Sequence, residues 1–262
     1  MISPDEIAAA IVQRREGRHL LLLCDFDGTL CEFDPDPEAV RLDESRKILL
    51  THLAALECCT VGIVSGRRLA DVRARVGDVG EIYVSGFHGL EIEGPGASFV
   101  HPDAAASVAA MRAISSRAAP SLRRLPGVFI EDKGLSVALH YRDAEPANRV
   151  VAQSVFIDAA RPNLDAGRVR LLSGSCVVEL LPNIEWNKGS AVEWIIEQVS
   201  RAAGSVLPVY IGDDVTDADA LEVVRPTGIG VAASDRVSAD YRVDGPEEVA
   251  MLLAALDAEL HC

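Results

Sequence analysis

The segment that most constrains the fold is Leu20-Leu21-Leu22-Leu23-Cys24, an unbroken apolar run that ends on Asp25-Phe26-Asp27-Gly28. A run this short, with no polar position in it, reads as a strand buried on both faces. Such strands belong to parallel sheets, and parallel neighbours need crossover helices between them. The chain supplies the alternation. After the strand at His19–Cys24, a helical pattern covers residues 44–56 and a second buried strand covers 60–64. Helical turns follow at 69–76, then a strand at 82–85. The last third repeats the pattern, with helices at 190–201, 217–224 and 246–259 and strands at 207–211 and 228–232. The expected class is α/β, an open parallel sheet with helices on both faces.

The middle of the chain breaks this rhythm. Residues 103–119 form an Ala-rich helix, and 128–131 with 135–141 form a hairpin around Asp132-Lys133-Gly134. A second helix covers 147–160. A second hairpin joins 169–172 to 176–181 around Ser173-Gly174-Ser175. Helix, hairpin, helix, hairpin makes an α+β layer, so residues 101–182 read as a smaller domain inserted into the larger one. No internal repeat is evident.

Composition excludes several classes. A net charge of −15 opposes nucleic acid, and the basic pairs Arg14-Arg15, Arg67-Arg68 and Arg123-Arg124 are scattered. An apolar content of 49% suits a folded chain rather than a disordered one. No apolar run approaches the ~20 residues that span a bilayer. Ser3-Pro4-Asp5-Glu6 has the form of a helix entry with a capping box, not of a signal peptide. The six cysteines, at 24, 31, 58, 59, 176 and 262, have neither zinc spacing nor the form of a disulfide framework. A reduced, cytoplasmic protein is expected, with no membrane or nucleic-acid partner.

In a parallel sheet, ligands bind beyond the carboxyl ends of the strands. Four segments put polar residues there. In Asp25-Phe26-Asp27-Gly28-Thr29 the two carboxylates project to the same side if the chain stays extended, and their repulsion favours a cation between them. Aspartates in a turn at a strand end are the ordinary alternative. A calcium EF-hand does not fit, because Leu30 falls where that loop needs glycine. In Val64-Ser65-Gly66-Arg67, the Ser65 hydroxyl and the following backbone N–H groups suit an anion, although serine is also a common helix cap. In Asn187-Lys188-Gly189-Ser190, a lysine at a helix N-terminus opposes the helix dipole, which suggests a phosphate beside it; a solvated surface lysine is the alternative. Gly212-Asp213-Asp214-Val215-Thr216-Asp217 gathers three carboxylates after a buried strand, with no basic residue until Arg225. Helix capping explains one of them. A divalent cation explains three beside another pair.

In order and context, Asp25-Phe26-Asp27-Gly28-Thr29, Ser65, Lys188 and Gly212-Asp213-Asp214 resemble the four motifs of the haloacid dehalogenase-like phosphatases. Within that superfamily the chain is similar to the trehalose-6-phosphate phosphatases. Gly86-Phe87-His88-Gly89-Leu90-Glu91, Glu131-Asp132-Lys133-Gly134, His140-Tyr141-Arg142, Val178-Glu179-Leu180 with Pro182, and Gly212–Asp217 carry that resemblance. It runs from about Leu20 to the last helix. One departure is Ala218-Asp219-Ala220-Leu221, where the family usually has Glu-Asp-Ala-Phe.

The resemblance implies a Rossmann-like parallel-sheet core over residues 1–100 and 183–262, with an inserted α+β cap at 101–182 that selects substrate. It implies Mg²⁺-dependent hydrolysis of a phosphorylated disaccharide, most simply trehalose 6-phosphate. Asp25 is then the nucleophile and Asp27 the acid and base. Mg²⁺ is held by Asp25, the Asp27 carbonyl and Asp213, with Asp214 or Asp217 in support. Ser65, Gly66, Arg67 and Lys188 bind the phosphate. Glu131, Lys133 and Glu179 meet sugar hydroxyls, with His88 and Arg142 as lesser candidates. Ordinary surface ion pairing on hairpins is the alternative for Glu131, Lys133 and Glu179. Two rivals stand: a phosphatase for another glycosyl phosphate, such as sucrose phosphate, mannosyl-phosphoglycerate or a pseudo-disaccharide phosphate, and a silent sugar-phosphate sensor on the same fold. A sensor is expected to lack the nucleophile or the acid, and this chain has both.

Overall fold

The computed structural model of the chain describes residues 2–34, 39–174 and 176–261. Ser175 and Cys262, both considered above, lie outside them. The chain divides into two compact units, Met1–Phe99 with Trp186–Cys262, and Val100–Glu185.

The first unit begins with α1 (Pro4–Arg15). Its capping box forms as expected, with the Ser3 N–H donating to Glu6 Oε2 at 2.8 Å and the Glu6 N–H to Ser3 Oγ at 3.3 Å. Then come β1 (His19–Cys24), α2 (Glu44–Ala55), β2 (Cys59–Val64), α3 (Leu69–Val76), β3 (Tyr83–Gly86), β4 (Glu91–Gly94) and β5 (Ala97–Val100). In the second unit lie α4 (Pro102–Leu122), β6 (Phe129–Asp132), β7 (Val137–His140), α5 (Pro146–Asp165), β8 (Val169–Gly174) and β9 (Val177–Pro182). The first unit resumes with α6 (Lys188–Ala203), β10 (Val206–Gly212), α7 (Ala218–Val224), β11 (Ile229–Ala232), β12 (Tyr241–Arg242) and α8 (Gly245–Leu260).

Among the described residues, the strands of the first unit form one eight-stranded sheet in the order β12-β11-β10-β1-β2-β3-β4-β5. Six of them, β12 through β3, are parallel. β4 turns back antiparallel to β3, so the sheet is mixed at one edge. The sequence reading stopped at β3. Glu91-Ile92-Glu93-Gly94 is too short and too charged to announce a strand, and it is paired only because the β3 edge is there to receive it.

The β1 run explains the two-sided core. Leu20, Leu22 and Cys24 pack on one face with Ile7, Leu50 and Leu252, from the side of α1, α2 and α8. Leu21 and Leu23 pack on the other with Val192, Ile195 and Leu221, from α6 and α7. Every residue of Leu20–Leu23 is fully buried, so truncating one to alanine should cost about 2–5 kcal/mol.

The second unit has a core of its own. Its sheet, β6-β7-β9-β8, is antiparallel throughout. Val137, Leu139, Val178 and Leu180 project from one face onto Met111 and Ile114 of α4 and Phe156 of α5. Both helices run further than their patterns suggest, past Pro120 and Pro162. Leu122 and Leu164 beyond those prolines pack onto the same core, and that burial offsets the one helical bond each proline removes.

Candidate active site

Strand order reverses at β1, which pairs β2 on one side and β10 on the other. The space beyond the carboxyl ends at such a reversal is the ligand crevice of an open α/β sheet. Asp25 follows β1, Ser65 follows β2 and Asp213 follows β10, while Lys188 opens α6. The four segments singled out in the sequence therefore meet at one edge of the first unit.

The centre is buried and charged. Asp25 is 5% exposed and Lys188 3%, and Asp213 and Asp217 are also buried. Lys188 Nζ donates to Asp25 Oδ1 at 2.8 Å and to Asp217 Oδ1 at 2.7 Å. Burial would lower the Lys188 pKa, but the two carboxylates outweigh it and hold the ammonium above the usual lysine value. One carboxylate oxygen each from Asp25, Asp213 and Asp217 lies within 4.8 Å of the others.

The charges around that group do not balance. Burial pushes Asp25 up to about 8; Lys188 opposes the shift and Asp217 adds to it. Asp213 is also pushed up, by burial and by Asp217, against the pull of Arg236. A hard divalent cation, which favours oxygen ligands, would relieve this excess of buried negative charge. The donor set fits such an ion.

Asp217 and Asp214 play different parts. Asp217 Oδ1 accepts from Lys188 and, at 2.6 Å, from the Tyr210 hydroxyl. Its Oδ2 accepts the backbone N–H groups of Asp213 and Asp214 at 3.1 and 3.0 Å. It is a strut for the loop and the lysine. The half-exposed Asp214 stands outside the three-carboxylate group and accepts from the Val215 N–H at 2.8 Å. Asp213 is braced by the Thr29 hydroxyl at 3.2 Å and by an ion pair with Arg236. Gly28 permits this packing, because its φ is +85° and a Cβ there would lie 2.5 Å from Asp213 Oδ2.

Asp27 faces a different partner. Arg67 donates to both its oxygens, Nε to Oδ2 and Nη2 to Oδ1, each at 2.7 Å. Arg67 also reaches Asp71 at 3.4 Å, and Asp71 takes the buried Arg75 at 2.9 Å. Ser65 is buried and its hydroxyl accepts the Arg67 N–H at 3.1 Å, which leaves the hydroxyl proton to give. A Cβ on Gly66 would lie 2.6 Å from the His88 ring, so the absence of a side chain there is what admits the imidazole. Phe87 and His88 both have positive φ, 49° and 56°, a rare conformation for residues with side chains.

In the second unit, Glu131, Ala138 and Glu179 stand side by side across the sheet. Lys133 Nζ reaches Glu179 Oε1 at 3.2 Å, and the buried Ser136 hydroxyl donates to the same oxygen at 2.5 Å. Arg142 lies in the turn after β7, where its carbonyl accepts from Arg149 at 2.9 Å. Sequence reasoning missed Tyr210, Asp71, Arg75, Ser136 and Arg236. A tyrosine inside a buried strand carries a hydroxyl that needs a partner, and that signal was available for Tyr210. Nothing local marks Arg236, whose role depends on where the loop after β11 comes to lie.

The trehalose-phosphatase family model matches residues 23–247, most of the chain and all of the residues just described. The chain belongs to the trehalose-phosphatase family. A trehalose-phosphate phosphatase of Mycolicibacterium paratuberculosis is 41% identical over 211 residues, covering 80% of this chain and 52% of its own length. An uncharacterized glycosyl hydrolase of Mycobacterium tuberculosis is 38% identical over 257 residues, 93% of this chain but 19% of that protein. The chain thus spans about half the length of the first of these relatives, and a fifth of the second. Among solved structures, the C-terminal domain of Candida albicans trehalose-6-phosphate phosphatase superposes with a TM-score of 0.72 at 21% identity, covering 96% of each chain. The fold of the trehalose-phosphatase family is therefore the fold of this chain, a mixed α/β sheet with a second, α+β unit inserted in it. Phosphatases of this fold generally use a divalent metal, and the buried acidic group is in keeping with that. No helix among the described residues is long and apolar enough to cross a membrane.

Proposed function

We propose that this chain hydrolyses the phosphate ester of trehalose 6-phosphate through a covalent intermediate on Asp25. The observation that carries the reading is the buried group of Asp25, Asp213 and Asp217 at the reversal point of the sheet, with Lys188 gripping Asp25 and Asp217. A carboxylate so buried, beside one fixed ammonium, has the makings of a nucleophile held for phosphoryl transfer.

Asp25 attacks phosphorus and the sugar oxygen leaves, taking a proton from Asp27. Asp27 then removes a proton from the water that attacks the aspartyl-phosphate, which frees phosphate and restores Asp25. The fork of Arg67 orients the ionised Asp27 that takes the water proton; when Asp27 carries the proton for the leaving oxygen, its protonated oxygen is released from the fork. Lys188 and Ser65, with the backbone of Gly66 and Arg67, meet the non-bridging phosphate oxygens. Mg²⁺ is the cation proposed, held by Asp25, the Asp27 carbonyl and Asp213, and it would neutralise charge between two anionic reactants. Asp217 supports by holding Lys188 and the loop, and Asp214 by capping the turn. In the second unit, Glu131, Lys133 and Glu179 are proposed to read sugar hydroxyls, with Arg142 and His88 as lesser contributors. We also infer a reducing, cytoplasmic setting from the free, buried thiols of Cys24, Cys31 and Cys59.

Phosphate release across a panel of sugar phosphates, with Mg²⁺ and with EDTA, tests this reading. Trehalose 6-phosphate should give the highest kcat/KM and EDTA should abolish it. Equal turnover of hexose phosphates would overturn the substrate, and undiminished turnover in EDTA the chemistry.

A further inference from the structure

The sheet of the second unit has two faces, one packed against its helices and the other bearing Glu131 and Glu179. Its register places Phe129, His140 and Val177 in the row next to Glu131, Ala138 and Glu179, on the same face. His140 Nε2 lies 3.0 Å from Glu131 Oε2. With its proton on Nε2, the ring donates to that carboxylate. The other side of the contact is aromatic: Phe129 stacks on the imidazole with centroids 4.4 Å apart and planes at 6°. Phe129 is 57% exposed. A ring so exposed gains little from burial in its own right, and what it does here is fix the plane of His140.

We propose that His140, held in orientation by Phe129, is a positioning residue for Glu131 and through it a determinant of sugar selectivity. The proposal rests on the reading that Glu131 meets a sugar hydroxyl. A glutamate has three rotatable bonds, and freezing them when a ligand arrives weakens binding. A donor on the same sheet that holds the carboxylate beforehand avoids that loss, and a carboxylate has lone pairs enough to accept a sugar hydroxyl as well. Glu179, in the same row, is held in the same way by Ser136 and Lys133. Both glutamates are thus oriented by donors from the β6–β7 hairpin, Glu131 by His140 in a strand of it and Glu179 by Lys133 and Ser136 in its turn, which a surface ion pair formed by chance would not require.

The test compares trehalose 6-phosphate with p-nitrophenyl phosphate, which has no sugar to grip. His140→Ala should lower kcat/KM for trehalose 6-phosphate roughly 3- to 10-fold, chiefly through KM, and leave the aryl phosphate unchanged. His140→Gln should recover most of the loss, because its amide N–H can replace Nε2–H. In a Glu131→Ala background, His140→Ala should add nothing. Phe129→Leu should show a smaller loss with the same selectivity, and it carries the test if His140→Ala fails to fold. Equal losses on both substrates, or a full additional loss in the Glu131→Ala background, would overturn the proposal. A loss in Glu131→Ala with none in His140→Ala would overturn it alone. Unchanged turnover in Glu131→Ala would overturn the sugar-binding reading and this proposal with it.

Discussion

The Tyr210 hydroxyl donates to Asp217 Oδ1 across 2.6 Å, at the same oxygen that Lys188 grips at 2.7 Å. Tyr210 is fully buried, and burial with the Asp217 charge beside it holds the phenol well above its ordinary pKa, so it stays a donor. Tyr210, Asp217, Lys188 and Asp25 form one continuous chain of hydrogen bonds that runs from the core to the end of β1.

Tyr210→Phe keeps the ring and removes only that donor. A hydrogen bond to a buried charge is worth about 1.5–3 kcal/mol, so kcat should fall roughly 10-fold or more. The fall should be the same for trehalose 6-phosphate and p-nitrophenyl phosphate, because Lys188 serves the phosphate that both share. Steady-state kinetics on the two substrates decides it, and a loss confined to the sugar phosphate would contradict it.

Asp25→Asn should abolish turnover and yet raise the stability of the metal-free protein at neutral and mildly alkaline pH. Burial holds Asp25 near 8, against an ordinary value of 3.8. Between those values the folded chain keeps a proton that the unfolded chain has lost, so this site makes stability fall as pH rises. Asparagine copies the neutral form. Thermal unfolding in EDTA should show the gain of Asp25→Asn at pH 8 shrinking towards pH 4.5. A difference that does not change with pH would count against it.

Asp27→Asn separates acid catalysis from metal binding. Mg²⁺ affinity measured by calorimetry should stay near that of the unaltered chain, because a backbone carbonyl is the ligand proposed there. Turnover of trehalose 6-phosphate should fall about 10²- to 10⁴-fold. A dinitrophenyl phosphate, whose leaving group needs no proton, should suffer far less. Equal losses on the two would move the acid elsewhere.

Mg²⁺ should raise the melting temperature in proportion to the logarithm of its concentration above Kd, since only the folded chain brings Asp25, Asp213 and the Asp27 carbonyl together. Asp213→Asn should remove most of that rise. Asp214→Asn should keep most of it, because Asp214 lies outside the group. Equal effects of the two substitutions would contradict the separation of their roles.

The sequence by itself determined the buried first strand, its crossover helices and the positions of the polar residues. Each of these is local: five apolar residues before Asp25, a serine after Val64 and three carboxylates after Gly212 all announce themselves within a few positions. The charged strand β4 was not legible, because Glu91-Ile92-Glu93 pairs only where an edge is waiting for it. The sequence also put Asp214 and Asp217 on the same footing as metal supports.

Tertiary structure alone decided which oxygen meets which donor. Tyr210 and Asp217 are close in sequence, but Lys188 lies 29 residues from one and 163 from Asp25, and their contact depends on where α6 starts against the sheet. Arg67 reaches Asp27 across 40 residues, and Arg236 reaches Asp213 across 23. Residue types and spacing can say that charges of both signs are present. They cannot say how those charges pair, because pairing follows from the positions of strand ends in space, which the buried core sets and the polar residues inherit.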